Sequence, residues 1–147
     1  MGNVEAICLV SCVGRKQVIA APAKHLYRSN WFVKARAYAE GISSHWFILS
    51  AKYGLVQPNE VILPYEQTLN TMAISERRNW AHRVQRQMDE RMPNAVRIIV
   101  LAGRRYREFL MEYLHHRALV VEVPMARLRI GEQLNWLGTR TSDGTAR

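Results

Sequence analysis

The stretch WFILSAKYGLV, residues 46–56, decides the fold class of this chain. It begins with four apolar residues, which predict a buried strand, and then passes into a turn that carries a serine, a lysine, a tyrosine and a glycine. In open α/β sheets, ligands bind at the edge where the parallel strands end. The stretch therefore predicts one strand of such a sheet and places Ser50, Lys52, Tyr53 and Gly54 at its ligand-binding edge.

Strands and helices alternate along the rest of the chain. Near-continuous apolar runs predict strands at 4–10, 96–102 and 119–123, and apolar residues at helical spacing predict helices at 30–42, 75–92, after Gly103, and at 130–137. Ser29 or Asn30 is expected to cap the first helix and Ser75 the second, while 11–22 and 51–72 are expected to be loops. The alternation predicts one α/β domain over residues 1–138, with a mostly parallel sheet of about four strands and helices on both faces. A flexible polar tail is expected at 139–147.

Length and composition exclude several classes of protein. The 147 residues, 48% of them apolar, suit a single globular domain. The sequence has no apolar run of 18 residues and no signal-peptide pattern, so we expect a cytoplasmic protein that does not span a membrane. Cys8 and Cys12 lie too far apart on one extended segment to form a disulfide. Standard metal and cofactor motifs are absent from the sequence, and its histidines are expected in structural or solvated positions, so neither a metal nor a cofactor is predicted.

Positive charge is the strongest compositional signal. Basic residues outnumber acidic ones by 21 to 12, and 17 of the 21 are arginines, whose planar guanidinium suits phosphate. The segment 77–107 holds nine arginines against two acidic residues, a net charge of +7. This is the footprint of nucleic acid or another polyanion, with DNA expected in preference to RNA; the alternative is a solvated helix face. The predicted contacts to the phosphate backbone are Arg77, Arg78, Arg83, Arg86 and Arg104, and no aromatic partner is expected for those on the helix.

Three predicted strand ends carry polar or glycine-containing loops, at 11–16, 50–55 and 103–106. If their strands are parallel neighbours, these loops line one pocket. The substrate-binding residues predicted on them are Ser11, Cys12, Lys16, Ser50, Tyr53, Gly54, Gly103 and Tyr106, with Arg15 as a further cation. Three residues elsewhere complete the set: Tyr27 and Tyr65 as aromatic walls, and Ser29 as a reader of polar edges.

Several motifs resemble those of known families. Residues 50–66, SAKYGLVQPNEVILPYE, resemble a motif of YaaA-type peroxide-stress proteins, which are described as DNA-binding. A longer series of motifs, from Ser11-Cys12 to Trp136-Leu137, resembles a small domain family of bacteria and phages. The first motif of this longer series, Ser11-Cys12 with Lys16, is also similar to the loop of archaeosine-synthase core domains, which act on a 7-deazaguanine base in tRNA. Together these resemblances imply a uracil-DNA-glycosylase-like fold, although the glycosylases' water-activating Asp motif and His loop are absent from this sequence.

The leading hypothesis is a nucleic-acid base-processing enzyme that acts at the N-glycosidic bond of a modified base. Lys52 and Glu66 are the candidate catalytic residues. Lys52 would stabilise a leaving base or form a Schiff base, and Glu66 would orient a water or stabilise a developing cation. Two alternatives stay open, a non-catalytic DNA-binding module of the peroxide-stress type and an enzyme on free nucleosides. The sequence leaves the oligomeric state open.

Overall fold

A computed structural model describes the backbone of residues 4–12 and 16–146, and the side chains as far as Thr141. Residues 13–15 of the predicted polar loop, Arg15 among them, lie outside the described residues, as does Arg147 of the predicted tail. The described strands are β1 (Val4–Ser11), β2 (Ala21–Pro22), β3 (Trp46–Ser50), β4 (Gly54–Val56), β5 (Val61–Ile62), β6 (Ala95–Leu101) and β7 (Val120–Glu122). The helices are α1 (Ala23–Leu26), α2 (Asn30–Ile42), α3 (Ile74–Arg91), α4 (Arg104–Arg107), α5 (Met111–Arg117) and α6 (Ile130–Ala146), with a 3-10 turn at Leu69–Thr71.

The main sheet has the strand order β4-β3-β1-β6-β7, and all neighbours except β3 and β4 run parallel. Its three central strands, β3, β1 and β6, are almost entirely buried, which explains why they appear as continuous apolar runs in the sequence. The mostly parallel α/β sheet predicted from the sequence is confirmed. β2 and β5 pair separately as a short antiparallel ribbon.

Helices cover both faces of the sheet. The connection from β1 to β3 and the connection from β3 to β6 run in opposite directions across the sheet, so right-handed crossovers place α2 and α3 on opposite faces. α6 packs beside α2, where the Trp31 indole nitrogen donates to Gln133 Oε1 at 2.8 Å. α5 packs beside α3, where the Tyr113 hydroxyl donates to Asp89.

Four details differ from the prediction, each for a local reason. β4 lies inside the segment expected to be loop, because Gly54 at φ 77° lets the chain reverse and pair back onto β3. α3 begins at Ile74, so the predicted Ser75 cap is wrong; Glu76 Oε1 instead accepts from the Ala73 N–H at 3.1 Å. The helix after Gly103 is split into α4 and α5, and α6 continues beyond the expected end at 137 to Ala146. Ser29 does cap α2, as predicted, accepting from the Phe32 N–H.

α3 also covers the outer edge of β4. The Gln87 side-chain amide accepts from the Leu55 N–H at 2.8 Å and donates to the Tyr53 carbonyl at 3.1 Å. Arg91 donates to the Leu55 carbonyl at 3.3 Å. The positive φ of Gly54 favours glycine, and a Cβ there would also overlap Gln87 Oε1 and displace this side chain from its bonds to the backbone. Among the helices of the described residues, none has the length and apolar character needed to cross a bilayer.

Candidate functional site

The three predicted loops start at one edge of the sheet. β1 lies between β3 and β6, all three run parallel, and Ser11 is in register with Leu49. Ser11 and Lys52 therefore follow strands that end on the same side. The connection after β1 leads to β3 on one side, and the connection after β6 leads to β7 on the other side. The position between β1 and β6 is therefore the topological switch point, where ligands bind in open α/β sheets.

A buried polar cluster lies directly under this edge, formed by Cys12, Tyr27, Ser50 and Tyr65. The Tyr65 hydroxyl is its centre: it lies 2.7 Å from the Tyr27 hydroxyl, 3.0 Å from Cys12 Sγ and 2.8 Å from Ser50 Oγ, which donates to it. The Cys12 thiol donates to the Leu49 carbonyl, so Tyr65 can donate to Cys12 Sγ and accept from Tyr27. Every donor of the cluster then has an acceptor.

The cluster is neutral and serves as structural support. Burial raises the pKa of the Cys12 thiol above its ordinary value. Burial also raises the pKa of Tyr27 and of Tyr65, and the adjacent Cys12 raises both further. A thiol is a nucleophile only as thiolate, so the raised pKa disfavours a nucleophilic role for Cys12. Cys8 and Cys12 are both free, as the sequence predicted.

Five of the predicted substrate-binding residues are buried, and their role in binding stays a prediction. They are Ser11, Cys12, Tyr27, Ser50 and Tyr65, and the side chains of Cys12, Tyr27 and Ser50 bond to the Tyr65 hydroxyl instead of to solvent. The side chains of two further predicted residues also make contacts within the protein. Ser29 caps α2, and Tyr106 is buried, with its hydroxyl 3.4 Å from the Leu69 N–H.

Lysines and a half-buried tyrosine lie above the cluster. Lys16 Nζ lies 4.7 Å from the centre of the Tyr65 ring, a cation–π distance, and Lys52 Nζ lies 5.4 Å from that of Tyr53. The Tyr53 hydroxyl donates to the Leu63 carbonyl at 3.2 Å, so its hydrogen bond is used within the chain. Lys52 is exposed, as is Glu66, the other predicted catalytic residue.

Beside this loop lies a cavity of about 500 Å³ between residues 51–52 and α3, which we call the α3 cleft. It is lined by Ala51, Lys52, Gln67, Met72, Glu76, Asn79, Trp80, Arg83 and Arg86. Three of these side chains are cationic and one is a carboxylate, while Trp80 and Met72 supply apolar wall. Glu66 is outside this lining, although its neighbour Gln67 belongs to it.

The arginines of α3 divide into fixed and exposed ones. Arg83 donates to the Lys52 carbonyl at 3.0 Å, and Arg77 donates to Glu108 at 3.2 Å and to the Met72 carbonyl at 2.7 Å. These two residues hold α3 against its neighbours, and their contact to phosphate stays a prediction. Arg78 and Arg86 are exposed, and Arg78 stacks on Phe109, contrary to the expectation that it has no aromatic partner.

Arg83 has one donor left over. Its Nε is buried and has no hydrogen-bond partner among the described residues. A buried polar group without a partner costs roughly 1–3 kcal/mol.

The end of β6 contributes to a different cavity. Gly103 and Arg104 line a pocket of about 200 Å³ together with Arg107, which we call the β6 pocket. The prediction that all three loops line one pocket is therefore corrected: the 51–52 turn lines the α3 cleft, and Gly103 and Arg104 line the β6 pocket.

The sequence carried a signal for the cleft that the prediction missed. Glu76, Asn79, Arg83 and Arg86 recur at intervals of three and four residues, which places them on one face of a helix. That polar face runs beside the apolar stripe that carries Trp80. A mixed row of carboxylate, amide and guanidinium groups on a helix face beside a glycine turn marks a candidate cleft.

Among the residues that the structure describes, no group of three or more His, Cys, Asp or Glu side chains could hold a metal ion. The chain belongs to the DUF6884 family, a family of unknown function whose match covers residues 7–139. The match runs from within β1 into α6, so it includes both cavities. A comparison with curated proteins gave no match.

Proposed function

We propose that this member of the DUF6884 family is a nucleic-acid base-processing enzyme that binds a nucleotide unit in the α3 cleft. The reaction would be cleavage of the N-glycosidic bond of a modified base. The observation that carries the proposal is the composition of the cleft: Lys52, Arg83 and Arg86 face the same cavity as Glu76, beside an apolar wall. Its volume of about 500 Å³ is within the range of pockets that enclose small molecules, roughly 300–1,000 Å³.

The charges of the cleft suit a phosphate and a base together. Arg86 and Lys52 are exposed at the cleft and can reach the phosphates on either side of a nucleotide. Arg83 holds the 51–52 turn through its carbonyls and keeps a buried Nε that has no partner in the described part of the chain. A base that leaves the stack would rest against Trp80 and Met72, as base-processing enzymes require.

The chemistry would use Glu76 and Lys52. Glu76 is fixed by the hydrogen bond from Ala73 to one of its oxygens, and as a carboxylate it can accept a proton from water. The water oxygen would bond to the anomeric carbon as the bond from that carbon to the base nitrogen breaks. Lys52 would stabilise the electron pair that passes to the base. We assign the water to Glu76 in place of Glu66 because Glu76 lines the cleft.

A uracil-DNA-glycosylase-like fold is part of the same proposal. A parallel sheet with helices on both faces and a ligand cleft at the strand ends supports it. The fold alone implies no activity, since one architecture serves many functions.

The test uses DNA and RNA oligonucleotides with modified bases, followed by alkali cleavage at abasic sites. We expect product from the parent protein, and a fall of about 10²–10⁴-fold in rate for both Glu76→Gln and Lys52→Ala, the usual range for removal of an acid or base group. Glu66→Gln is the matched control, an exposed glutamate outside the cleft, and its rate should equal that of the parent. Loss of activity in Glu66→Gln with full activity in Glu76→Gln would reassign the carboxylate.

One observation favours the non-catalytic DNA-binding module as a second candidate. Lys52 and Glu76 are both exposed, whereas catalytic groups commonly lie in sites from which water is excluded. Nucleic-acid binding that falls steeply with salt, without product on any modified substrate, would identify the module. Binding of free nucleosides that is insensitive to salt would indicate the nucleoside enzyme instead.

A further inference from the structure

The β6 pocket is a second cavity with its own chemistry. It opens at the ends of β6 and β7, on the side of the sheet covered by α2 and α6. Its floor is apolar and firm: Met125 is buried, and Trp31 is held by Gln133, which itself donates to the Leu128 carbonyl at 2.9 Å. Gly103 adds no side chain to the wall, so the pocket stays open beside the topological switch point.

Two arginines line this small space, Arg107 partly buried and Arg104 with its side chain 85% exposed. Arg107 donates to the Ala102 carbonyl at 2.8 Å, which fixes its position at the wall. In the described part of the chain, no carboxylate lies within 4 Å of Arg107. Arg104 has only a long contact, 3.8 Å, to Glu108, and Glu108 is held closer by Arg77 at 3.2 Å. The pocket therefore has an excess of positive charge.

The charge of Arg104 acts on Arg107. Burial lowers the pKa of Arg107, and the nearby charge of Arg104 lowers it further. Two like charges beside a partly desolvated cavity repel each other, and an anion between them would replace this repulsion by attraction. Arginine remains protonated in proteins, so both groups stay available as forked donors.

We propose that the β6 pocket is a phosphate-binding site in which Arg104 and Arg107 grip one phosphate group. The volume of about 200 Å³ is below the range for pockets that enclose a drug-sized molecule, which suits a phosphate with its adjoining atoms and excludes a whole nucleotide. Paired arginines give bidentate, charge-assisted hydrogen bonds to phosphate oxygens. The site stands on residues outside the α3 cleft, and it is independent of the function proposed for that cleft.

The phosphate could come from two sources, a free phosphate compound or the terminal phosphate of a nucleic-acid strand. We would titrate the full chain with inorganic phosphate at constant ionic strength and follow binding by calorimetry and by the midpoint of thermal unfolding. We expect phosphate to bind and to raise the midpoint, because a ligand of the folded state stabilises it. Arg104→Gln should weaken binding about 10–100-fold, the loss expected for hydrogen bonds between charged groups.

Arg105→Gln is the matched control. Arg105 is exposed, adjacent in sequence and of the same charge, but it is outside the pocket lining, so its variant should bind phosphate as the parent does. Because Arg107 also holds Ala102, Arg107→Lys is the second variant: it keeps the charge, loses the fork and should also weaken binding. Circular dichroism checks that each variant is folded.

A pair of oligonucleotides with the same sequence, one with a 5′-phosphate and one with a 5′-hydroxyl, separates the two sources. Tighter binding of the phosphorylated strand that Arg104→Gln removes would identify a strand terminus, and phosphate binding without this difference would identify a free compound. The proposal fails if the parent protein does not bind phosphate, or if Arg105→Gln weakens binding as much as Arg104→Gln. Abasic-product formation by Arg104→Gln reports on the α3 cleft separately.

Discussion

The polar cluster under the sheet edge and the α3 cleft beside it both contain polar side chains, but they differ in what those polar groups face. In the cluster, Cys12, Ser50 and Tyr65 bond to one another and are closed to solvent. In the cleft, Lys52, Glu76 and Arg86 are exposed to a shared cavity. The difference shows that a serine, cysteine or tyrosine at a strand end is as well suited to support a site as to form one.

The largest expected effect concerns alkaline pH and tests whether the cluster is sealed. Burial raises the folded-state pKa of Cys8, Cys12, Tyr27 and Tyr65, whereas the unfolded chain has ordinary values of 9.0 for Cys and 10.0 for Tyr. Above pH 9 the unfolded state loses protons that the folded state keeps, so the free energy of unfolding should fall by about 1.4 kcal/mol per pH unit for each group that titrates. Denaturant unfolding at pH 7, 9, 10 and 11 measures this. Stability that stays constant or rises above pH 9 would contradict a sealed cluster.

A smaller effect is expected from Tyr65→Phe. The change removes the hydroxyl at the centre of the cluster and leaves the Ser50 and Tyr27 hydroxyls without their acceptor, so the free energy of unfolding should fall by about 2–4 kcal/mol. Urea unfolding at pH 7 measures it. Tyr53→Phe serves as control, since it loses one partly exposed hydrogen bond to Leu63 and should cost less than about 1 kcal/mol. Equal losses in the free energy of unfolding of the two variants would mean that the cluster stabilises the protein no more than a surface hydrogen bond does.

On α3, the exposed arginines should matter for binding and not for stability. Arg78→Gln together with Arg86→Gln should weaken nucleic-acid binding about equally across sequences and reduce the slope of log affinity against log salt by about 0.9 for each phosphate that is no longer neutralised. The free energy of unfolding should change by less than about 0.5 kcal/mol per site. Salt titrations by fluorescence anisotropy measure the slope, and an unchanged slope would place the nucleic acid elsewhere.

Arg83→Gln should change nucleic-acid binding least, and it compares a fixed arginine with the exposed Arg86. Because Arg83 holds the Ala51 and Lys52 carbonyls, its loss should lower the free energy of unfolding by about 1–2 kcal/mol, more than Arg86→Gln does. Its effect on the salt slope should be smaller than that of Arg86→Gln. The reverse ranking would show that Arg83 binds phosphate after all.

Much of the architecture could be predicted from periodicity. The apolar runs at 4–10 and 96–102 and the helical stripe at 31–42 correspond to β1, β6 and α2, because each pattern reflects burial of a whole element. β4 was missed because three residues show no period; it depends on the positive φ of Gly54 and on the amide of Gln87, which lies 32 positions after its partner Leu55. The cap of α3 was missed because it comes from Glu76 and not from a residue before the helix.

The candidate site was harder to predict than the fold. The sequence placed Ser11, Ser50 and Lys52 at one edge correctly, because the order of parallel strands determines that edge. It could not tell that Tyr65, 53 positions after Cys12, closes over the serines, since the pairing depends on the path of the 57–65 segment. Fixed and exposed arginines also look alike in sequence, because their difference depends on carbonyls supplied by a turn.

The amide of Gln87 occupies the place that another strand would take. It accepts from one backbone N–H and donates to one backbone carbonyl of the β4 region, as a peptide group of a neighbouring strand would. An edge strand with free backbone groups is a template for aggregation through strand addition. This side of the sheet is therefore closed to growth by a helix side chain, and the protein is protected there against the association of one copy with the next.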